Sequence, residues 1–589
     1  MSRFLEGFPY KYLTPNSTFE LALRTLYHKI LATRLYFLWQ EFLSKWSYKI
    51  FRSKQKKKRF PNLKYSSNLP KVTFLISCEH ATLLEIQKTI KSLQRQQSNN
   101  WEAVLVLDNK IDNSAESLFK DFRIKFSSVA EPSDLNNLSG EYIVLCQGGD
   151  VFFPDLLSHF YFSLKEKTPA NITYYDCEYY DTSSRRIQPF FKPCGLSPAL
   201  LFSVNYFSRG FISRQALEKI WKEIDHNVQV NALEYDITLR LYEVGEVHHL
   251  PKVLISQKHL PTLNYVEMQK VLAAYLQRKG CKEVEKSKLN TGTHFSYNHG
   301  SPSLATIILS KNNFRFLNNL VPAILATPYK GRHSIYIVDN GSDDPETLDF
   351  YRHIIVNPQV SIIPYPKPFN YSEAINLGVH ESSSELVLLL NDDMAILDKI
   401  WLDELVQWTV KPEIGVVGAK LLRQNRTIQH AGIVIGLSGF AGHIYLNAPE
   451  NYQGLLGSSN WCRNFLALTG ACQMVRREVF NQVNGYDETY RLAFGDIDFC
   501  LKVFEKGYLN VYSPFARLLH FEGSTRGYET PIDDTRKGYA RLETYLINGD
   551  PYFSPNLTNS RIPKCVNDIE NKENQKQRIA ARKKYYLNN

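Results

Sequence analysis

This 589-residue sequence predicts two tandem α/β domains, each built on a mainly parallel sheet with helices on both faces. Three observations carry the expectation. Short apolar runs alternate with helical stretches. The alternation occurs twice, over 71–260 and again over 303–545, at a spacing far longer than a solenoid repeat. Several of the strand-like runs end in polar clusters, as strands do when they open into a ligand cleft.

At about 68 kDa the chain is long enough for roughly two to four domains. Hydrophobic residues at 43% and charged residues at 22% exclude wholesale disorder, a collagen-like fibre and a polytopic membrane protein. The net charge of +11 is unevenly placed. Residues 1–60 hold 13 Lys and Arg against 3 Asp and Glu, residues 561–589 hold 8 against 3, and 61–560 hold 49 against 53. A slightly acidic body with basic ends argues against a nucleic-acid partner. The nine cysteines are scattered with no CxxC pair, which fits the reduced thiols of a cytoplasmic protein better than a disulfide framework or a zinc site. MSRFLEGFPYKYL lacks the apolar core of a secretory signal, and no run of 18 uncharged apolar residues would span a bilayer.

Residues 18–51 read as one helix, with Phe19, Leu23, Leu26, Ile30, Leu35, Leu38, Phe42 and Trp46 at helical spacing and the basic run Arg52–Arg59 behind it. Two readings stand: a basic, aromatic-rich helix lying on an anionic membrane surface, or a helix packed on its own globular body. In the first α/β stretch KVTFLIS, WEAVLVLDN and EYIVLCQGGD read as strands, with 81–97 helical between the first two. Residues 264–280 read as a helix and 281–302 as a polar linker. In the second stretch SLATIILS, HSIYIVDNGS and ELVLLLNDD are strands with their exit loops, and 314–326 and 371–381 are helices. The domains are therefore 71–262 and 303–545, flanked by the basic segment 1–60 and a polar basic tail, 546–589.

Asp339-Asn340-Gly341-Ser342 and Asn391-Asp392-Asp393 both follow buried strands, so both leave the same edge of one sheet and face one cleft. Alone, the first could be a plain turn and the second a helix N-cap. Together, adjacent carboxylates call for a cation, and Mg²⁺ or Mn²⁺ bridging a diphosphate suits their hard oxygen donors. Asp496 and Asp498 open an amphipathic helix whose N-terminus could hold a carboxylate ready as a base. His520 becomes a third ligand only with the NDD cluster nearby.

In order, DNGS (339–342), FNYSEAINLGV (369–379), LVLLLNDDM (386–394), WLDELV (401–406), GVVGAKLL (415–422), IQHAGIVIG (428–436), TGACQMVRREVF (469–480), GYDE (485–488), GDIDFCLKV (495–503) and HFEGS (520–524) resemble a family 2 glycosyltransferase of the GT-A fold. They look especially like bacterial enzymes of surface-polysaccharide synthesis such as rhamnosyl- and galactofuranosyltransferases. The resemblance implies two tandem GT-A (nucleotide-diphospho-sugar transferase, Rossmann-like) domains, a nucleotide-sugar donor, a glycan or lipid-linked glycan acceptor and a divalent metal. It assigns Asp339, Asn340, Ser342 and Asp392 to the nucleotide, and Asn391, Asp393 and His520 to the metal site. Asp496 becomes the general base of an inverting displacement, while Trp461, Thr469, Gly470 and Asp498 line the donor and acceptor sites. The first domain resembles the family less completely. Cys146-Gln147-Gly148-Gly149-Asp150 stands where the acidic pair belongs, which implies a degenerate domain in which Asp108 and Asp236 still permit nucleotide or acceptor binding. The resulting expectation is a cytoplasmic, peripherally membrane-bound glycosyltransferase, with residues 18–59 as the membrane contact. Its rivals are a non-catalytic glycan- or nucleotide-binding scaffold and a sugar nucleotidyltransferase, the latter disfavoured because SKNNFR rather than a Gly-rich loop follows the first strand of the second domain.

Overall fold

A computed structural model of the chain describes residues 33–57, 69–107, 119–128, 135–181, 186–225, 229–521 and 531–566. The first sheet comprises β1 (Val72–Ser77), β2 (Trp101–Leu107), β3 (Ile124–Ser128), β4 (Tyr142–Gln147), β5 (Val151–Phe152), β6 (Ile172–Asp181), β7 (Arg186–Phe190), β8 (Phe211–Ser213) and β9 (Val247–Gln257). Its order is β3-β2-β1-β4-β8-β6-β9-β5, with β7 beside β6. After the hairpin β10 (Lys282–Leu289) and β11 (Gly292–Asn298), the second sheet uses β12 (Leu304–Ser310), β13 (His333–Asp339), β14 (Val360–Pro364), β15 (Leu386–Leu390), β16 (Met394–Ile396), β17 (Ile414–Leu422), β18 (Cys472–Arg476) and β19 (Leu509–His520). Its order, β14-β13-β12-β15-β18-β17-β19-β16, repeats that of the first sheet strand for strand.

In both sheets four parallel strands come first and the chain then reverses: β4 meets β8, and β15 meets β18, antiparallel. Because helices cover both faces, the central strands are apolar along their whole length rather than alternating; LVLLL of β15 is buried at every position. The expected duplication is thus present at the level of topology.

Three local expectations change. Residues 281–302 hold the β10–β11 hairpin instead of a plain linker. His294 and Phe295 of β11 are buried while the Lys and Glu of KEVEKSKL stay largely exposed, so β10 carries no apolar pattern from which a strand could be read. The tail is not polar throughout: over 546–566, Tyr552, Phe553, Leu557, Ile562 and Cys565 enter the second-domain core, and residues 567–589 lie outside the described part. Of the 18–51 helix, the described part is α1 (Arg34–Lys57). One face packs, with Phe37 and Tyr48 buried, Ser44 donating to Pro563 O at 2.6 Å, and Tyr48 and Arg52 both donating to Glu178. The other face is exposed.

The two domains share an apolar, hydrogen-bonded seam. Asn464 Oδ1 accepts from Ser197 Oγ (3.1 Å) and Ala199 N (3.0 Å), and Ser203 Oγ accepts from Cys462 N (2.9 Å). The buried Lys411 Nζ lies 4.5, 4.7 and 5.3 Å from the ring centres of Phe202, Trp408 and Tyr297, which joins first domain, second domain and hairpin in one aromatic cage. Burial pushes its pKa down. Below that cage, in the helix Trp401–Thr409, the carboxylate of Glu404 accepts from Trp408 Nε1 (2.8 Å), the Ser513 hydroxyl and the Gln407 amide, and pairs with His294 Nε2 at 2.6 Å. Removing the acceptor leaves several buried donors unpaired, each worth about 1–3 kcal/mol. Glu404→Ala should therefore lower unfolding free energy by about 3 kcal/mol, read as a fall in melting temperature. A loss under about 1 kcal/mol would show that the seam does not depend on this carboxylate.

Candidate active site

The parallel strands β13, β12 and β15 run side by side, so their carboxyl ends put Asp339, Ser310 and Asn391-Asp392-Asp393 on one edge. Ser310 is in register with Asp339 and donates to Asp392 Oδ2 at 2.7 Å, bridging the two acidic clusters. Burial pushes the Asp392 carboxyl above its usual range, opposed by the Ser310 hydrogen bond and the nearby Asn313 amide and reinforced by the charge of Asp393. Asp339 accepts from Ser342 N (3.0 Å), the Ser342 hydroxyl and Tyr351 OH (3.1 Å), which fixes its carboxylate at the mouth of β13.

Asp393 immediately precedes β16, whose Met394 pairs with His520 at the end of β19. This ladder brings two distant segments together. His520 Nε2 lies 3.2 Å from Asp393 Oδ1 and 3.4 Å from Asn391 Nδ2. Both Asp393 Oδ1 and His520 Nδ1 are buried without a hydrogen bond, the 3.2 Å approach being at an unfavourable angle. A buried carboxylate oxygen left unpaired beside an imidazole and an amide is a donor set that fits a divalent cation. Among the described residues, no cluster of three His, Cys, Asp or Glu side chains is arranged for a metal, so the carboxamide of Asn391 would complete this one.

Opposite stands α2 (Gly495–Glu505). In its first turn Asp496 Oδ2 accepts from Gly470 N at 2.9 Å, while Tyr371 OH donates to Gly470 O at 3.1 Å. The Thr469–Gly470 turn is tied to the acidic cluster because Asn391 N donates to Ala471 O at 3.0 Å. Asp496, Thr469, Gly470, Asn391, Asp392, Asp393 and His520 thus form one connected wall, with a carboxylate on one side and a cation-ready pair on the other.

Three expected site residues are engaged elsewhere. Asn340 donates to Tyr365 O (3.0 Å) and Lys367 O (2.8 Å), so its amide braces the loop after β14. Asp498, two residues on from Asp496, is turned about 200° round the helix. There it takes a 2.6 Å bond from Arg541 Nε of the helix Ile532–Asn548. The Trp461 indole packs edge-on against Phe190 of the first domain at 5.3 Å, with Arg463 over its ring, and belongs to the seam. Of the first-domain candidates, Asp236 pairs with Arg240 and Arg278, and Asp108 lies outside the described residues, as do Glu522, Gly523 and Ser524 of the HFEGS run. Ser310, Asn313 and Tyr351 were missed. The available signal was their position, the first two at the exit of β12 and Tyr351 one helix beyond β13.

Sheet order and cleft define the class: an α/β protein with two tandem domains of the GT-A glycosyltransferase fold. Residues 306–483, most of the second sheet, match the family model described as glycosyl transferase family 2. It is 30% identical to the uncharacterized protein y4gI of Sinorhizobium fredii over 84% of this chain and 58% of that one. It is 28% identical to the O-antigen biosynthesis protein RfbC of Myxococcus xanthus over 84% of this chain and 40% of that one. The chain thus spans about half the length of these relatives. Among solved structures, GalNAc-T7 with UDP, GalNAc and Mn²⁺ is 14% identical over 45% of this chain and 53% of that one, with a TM-score of 0.36.

If Asp498 serves the fold, Arg541→Met, which strands both Asp498 and Glu505, should lower the melting temperature by several degrees. Asp498→Asn in that background should recover part of the loss, whereas additive losses would contradict the pairing.

Proposed function

We propose that the chain transfers a sugar, with inversion, from a nucleotide-diphosphate donor to a hydroxyl of a glycan acceptor in the synthesis of a bacterial surface polysaccharide. The observation that carries the proposal is the connected wall, where Asp496 faces the Asn391–Asp393–His520 set across a turn of small residues. The family-model match over 306–483 and the O-antigen relative support the same reading.

In this mechanism Asp496 accepts the proton of the acceptor hydroxyl, and the resulting oxygen forms its bond to the anomeric carbon from the face opposite the diphosphate. The bond from that carbon to the phosphate oxygen breaks, and the nucleoside diphosphate leaves with the electron pair. A divalent cation, when bound, would neutralise charge on the leaving diphosphate, and Asp393, His520 and Asn391 would hold it. Gly470 N fixes the carboxylate of Asp496, and Asp339 receives the nucleotide base. Asp393→Ala should abolish Mn²⁺-dependent binding of nucleotide sugars. Asp496→Asn should retain donor binding and lower kcat about 10²–10⁴-fold. Full transfer by Asp393→Ala, or an unchanged kcat in Asp496→Asn, would overturn these roles.

We further propose a lipid-linked acceptor and work at the cytoplasmic face of a membrane. Among the described residues no helix is long and apolar enough to cross a membrane. On α1, Leu35, Leu38, Trp39, Phe42 and Trp46 form an exposed row, 46–80% accessible, flanked by the exposed Lys45 and Lys49. Such a row fits the interface of an anionic bilayer. Because the other face of α1 is packed, the test is a substitution and not a deletion. Trp39→Glu/Phe42→Glu/Trp46→Glu should abolish sedimentation with phosphatidylglycerol vesicles while leaving transfer to a soluble acceptor intact. Unchanged sedimentation would remove the membrane role.

A further inference from the structure

The first domain carries a second copy of the same cleft, and its matching positions can be read from topology. Asp150 immediately precedes β5 as Asp393 immediately precedes β16. β5 pairs with β9 through Val151 and Ser256, as β16 pairs with β19 through Met394 and His520. Arg209 stands two residues before β8, as Gly470 stands two before β18. The backbone N–H of Arg209 donates to Glu234, in the helix Val230–Leu241, as that of Gly470 donates to Asp496. Glu234 therefore takes the place of the base, Asp150 that of the metal-site aspartate, Ser256 that of the histidine and Gly148 that of Asn391.

What fills this copy is a side chain. Arg209 is fully buried; its Nε donates to Asp150 Oδ2 at 2.6 Å, Nη1 to Glu234 Oε2 at 2.7 Å and Nη2 to Asn231 Oδ1 at 2.9 Å. Asp150 is further saturated by the backbone N–H groups of Gln147 (3.1 Å) and Lys258 (2.9 Å). The arginine sits in the left-handed region at φ 64°, a strained conformation for a long side chain, held by the bonds it makes. No donor stands at the Gly148 position, where a Cβ would come within 2.6 Å of the Ala81 Cβ. Burial pushes the Glu234 carboxyl up to about 7, and the adjacent guanidinium opposes the shift.

We infer that the first domain is a closed copy of the site, in which the guanidinium of Arg209 spans from the metal position to the base position. That domain therefore holds no divalent cation, transfers no sugar and serves as a scaffold for the second. Positive charge is supplied covalently, one unit where a divalent cation would bring two, and the guanidinium occupies the space between the two carboxylates. The inference rests on the first domain alone.

The test uses the full chain, with Mn²⁺ as probe and two readouts: bound Mn²⁺ per chain by electron paramagnetic resonance, and melting temperature. Arg209→Met should lower the melting temperature sharply because it strands two buried carboxylates. Arg209→Met/Asp150→Asn/Glu234→Gln, which removes all three charges, should recover most of that loss. Bound Mn²⁺ per chain should be the same in wild type, Asp150→Asn and the triple variant. A fall in bound Mn²⁺ in either variant, or Arg209→Met as stable as wild type, would overturn the inference. If Arg209→Met does not fold, the triple variant and Asp150→Asn still decide it. If wild type binds no Mn²⁺, that counts against the second-domain reading, and the plug is then judged on melting temperature.

Discussion

The constraint on which the rest depends is the crowding of carboxylates at the carboxyl edge of a parallel sheet. Asp339 leaves β13 while Asp392 and Asp393 leave β15, with β12 between them, and Asp496 stands in the first turn of a helix. Buried like charges at such distances are tolerated only with a counter-charge, a proton or hydrogen bonds. Asp339 is met by hydroxyls and a backbone N–H, and Asp392 by Ser310, its pKa raised by burial. Asp393 and His520 keep buried atoms without a hydrogen bond, a remaining demand that a cation would meet. In the first domain the equivalent demand is met by Arg209.

A cleft of this kind needs its two walls held at fixed separation. The walls come from segments far apart in sequence, Asn391–Asp393 and Thr469–Asp496, joined by the Asn391–Ala471 and Gly470–Asp496 bonds. Behind them β19 carries His520 at one end, and Asn510 and Ser513 in its opposite half. Asn510 O accepts from Asn464 Nδ2 and Ser513 bonds Glu404, so the strand that presents His520 is anchored to the same residues that receive Ser197 and Ala199 of the first domain.

Much of the fold was legible because its signals are local. Apolar runs ending in DNGS and NDD, and the repetition of that pattern, are consequences of a parallel sheet covered on both faces. The pairing of Asp393 with His520 was legible through resemblance, since no local pattern links residues 127 positions apart. What was not legible depends on side-chain direction. Asp496 and Asp498 look equivalent in GDID, yet a helix turns them to different faces, one to Gly470 and the other to Arg541. Trp461 reads as a sugar platform until Phe190 of the other domain is seen against it. The charged strands of the hairpin were hidden because KEVEKSKL lacks the apolar character of a core strand.

The two clefts differ at Asn391 against Gly148 and at His520 against Ser256, and the change that decides whether the cleft is filled is Gly470 against Arg209. A Cβ at Gly470 would lie 3.2 Å from the Asp496 Cβ and 3.3 Å from Tyr371 OH, close enough that even alanine would crowd the base. A longer side chain there would have to run into the cleft between Asp496 and Asp393, which is the course Arg209 takes between Glu234 and Asp150. Glycine thus keeps the cleft open at the cost of leaving carboxylates without a resident counter-charge, and arginine settles the charge by closing it. The carboxylates alone cannot distinguish an open cleft from a filled one, because Asp150 and Glu234 remain in place in the closed copy. What distinguishes them is the residue two positions before the strand that opposes them. The physical reason is that buried acids and an open, cation-dependent site are compatible only when no internal cation can reach.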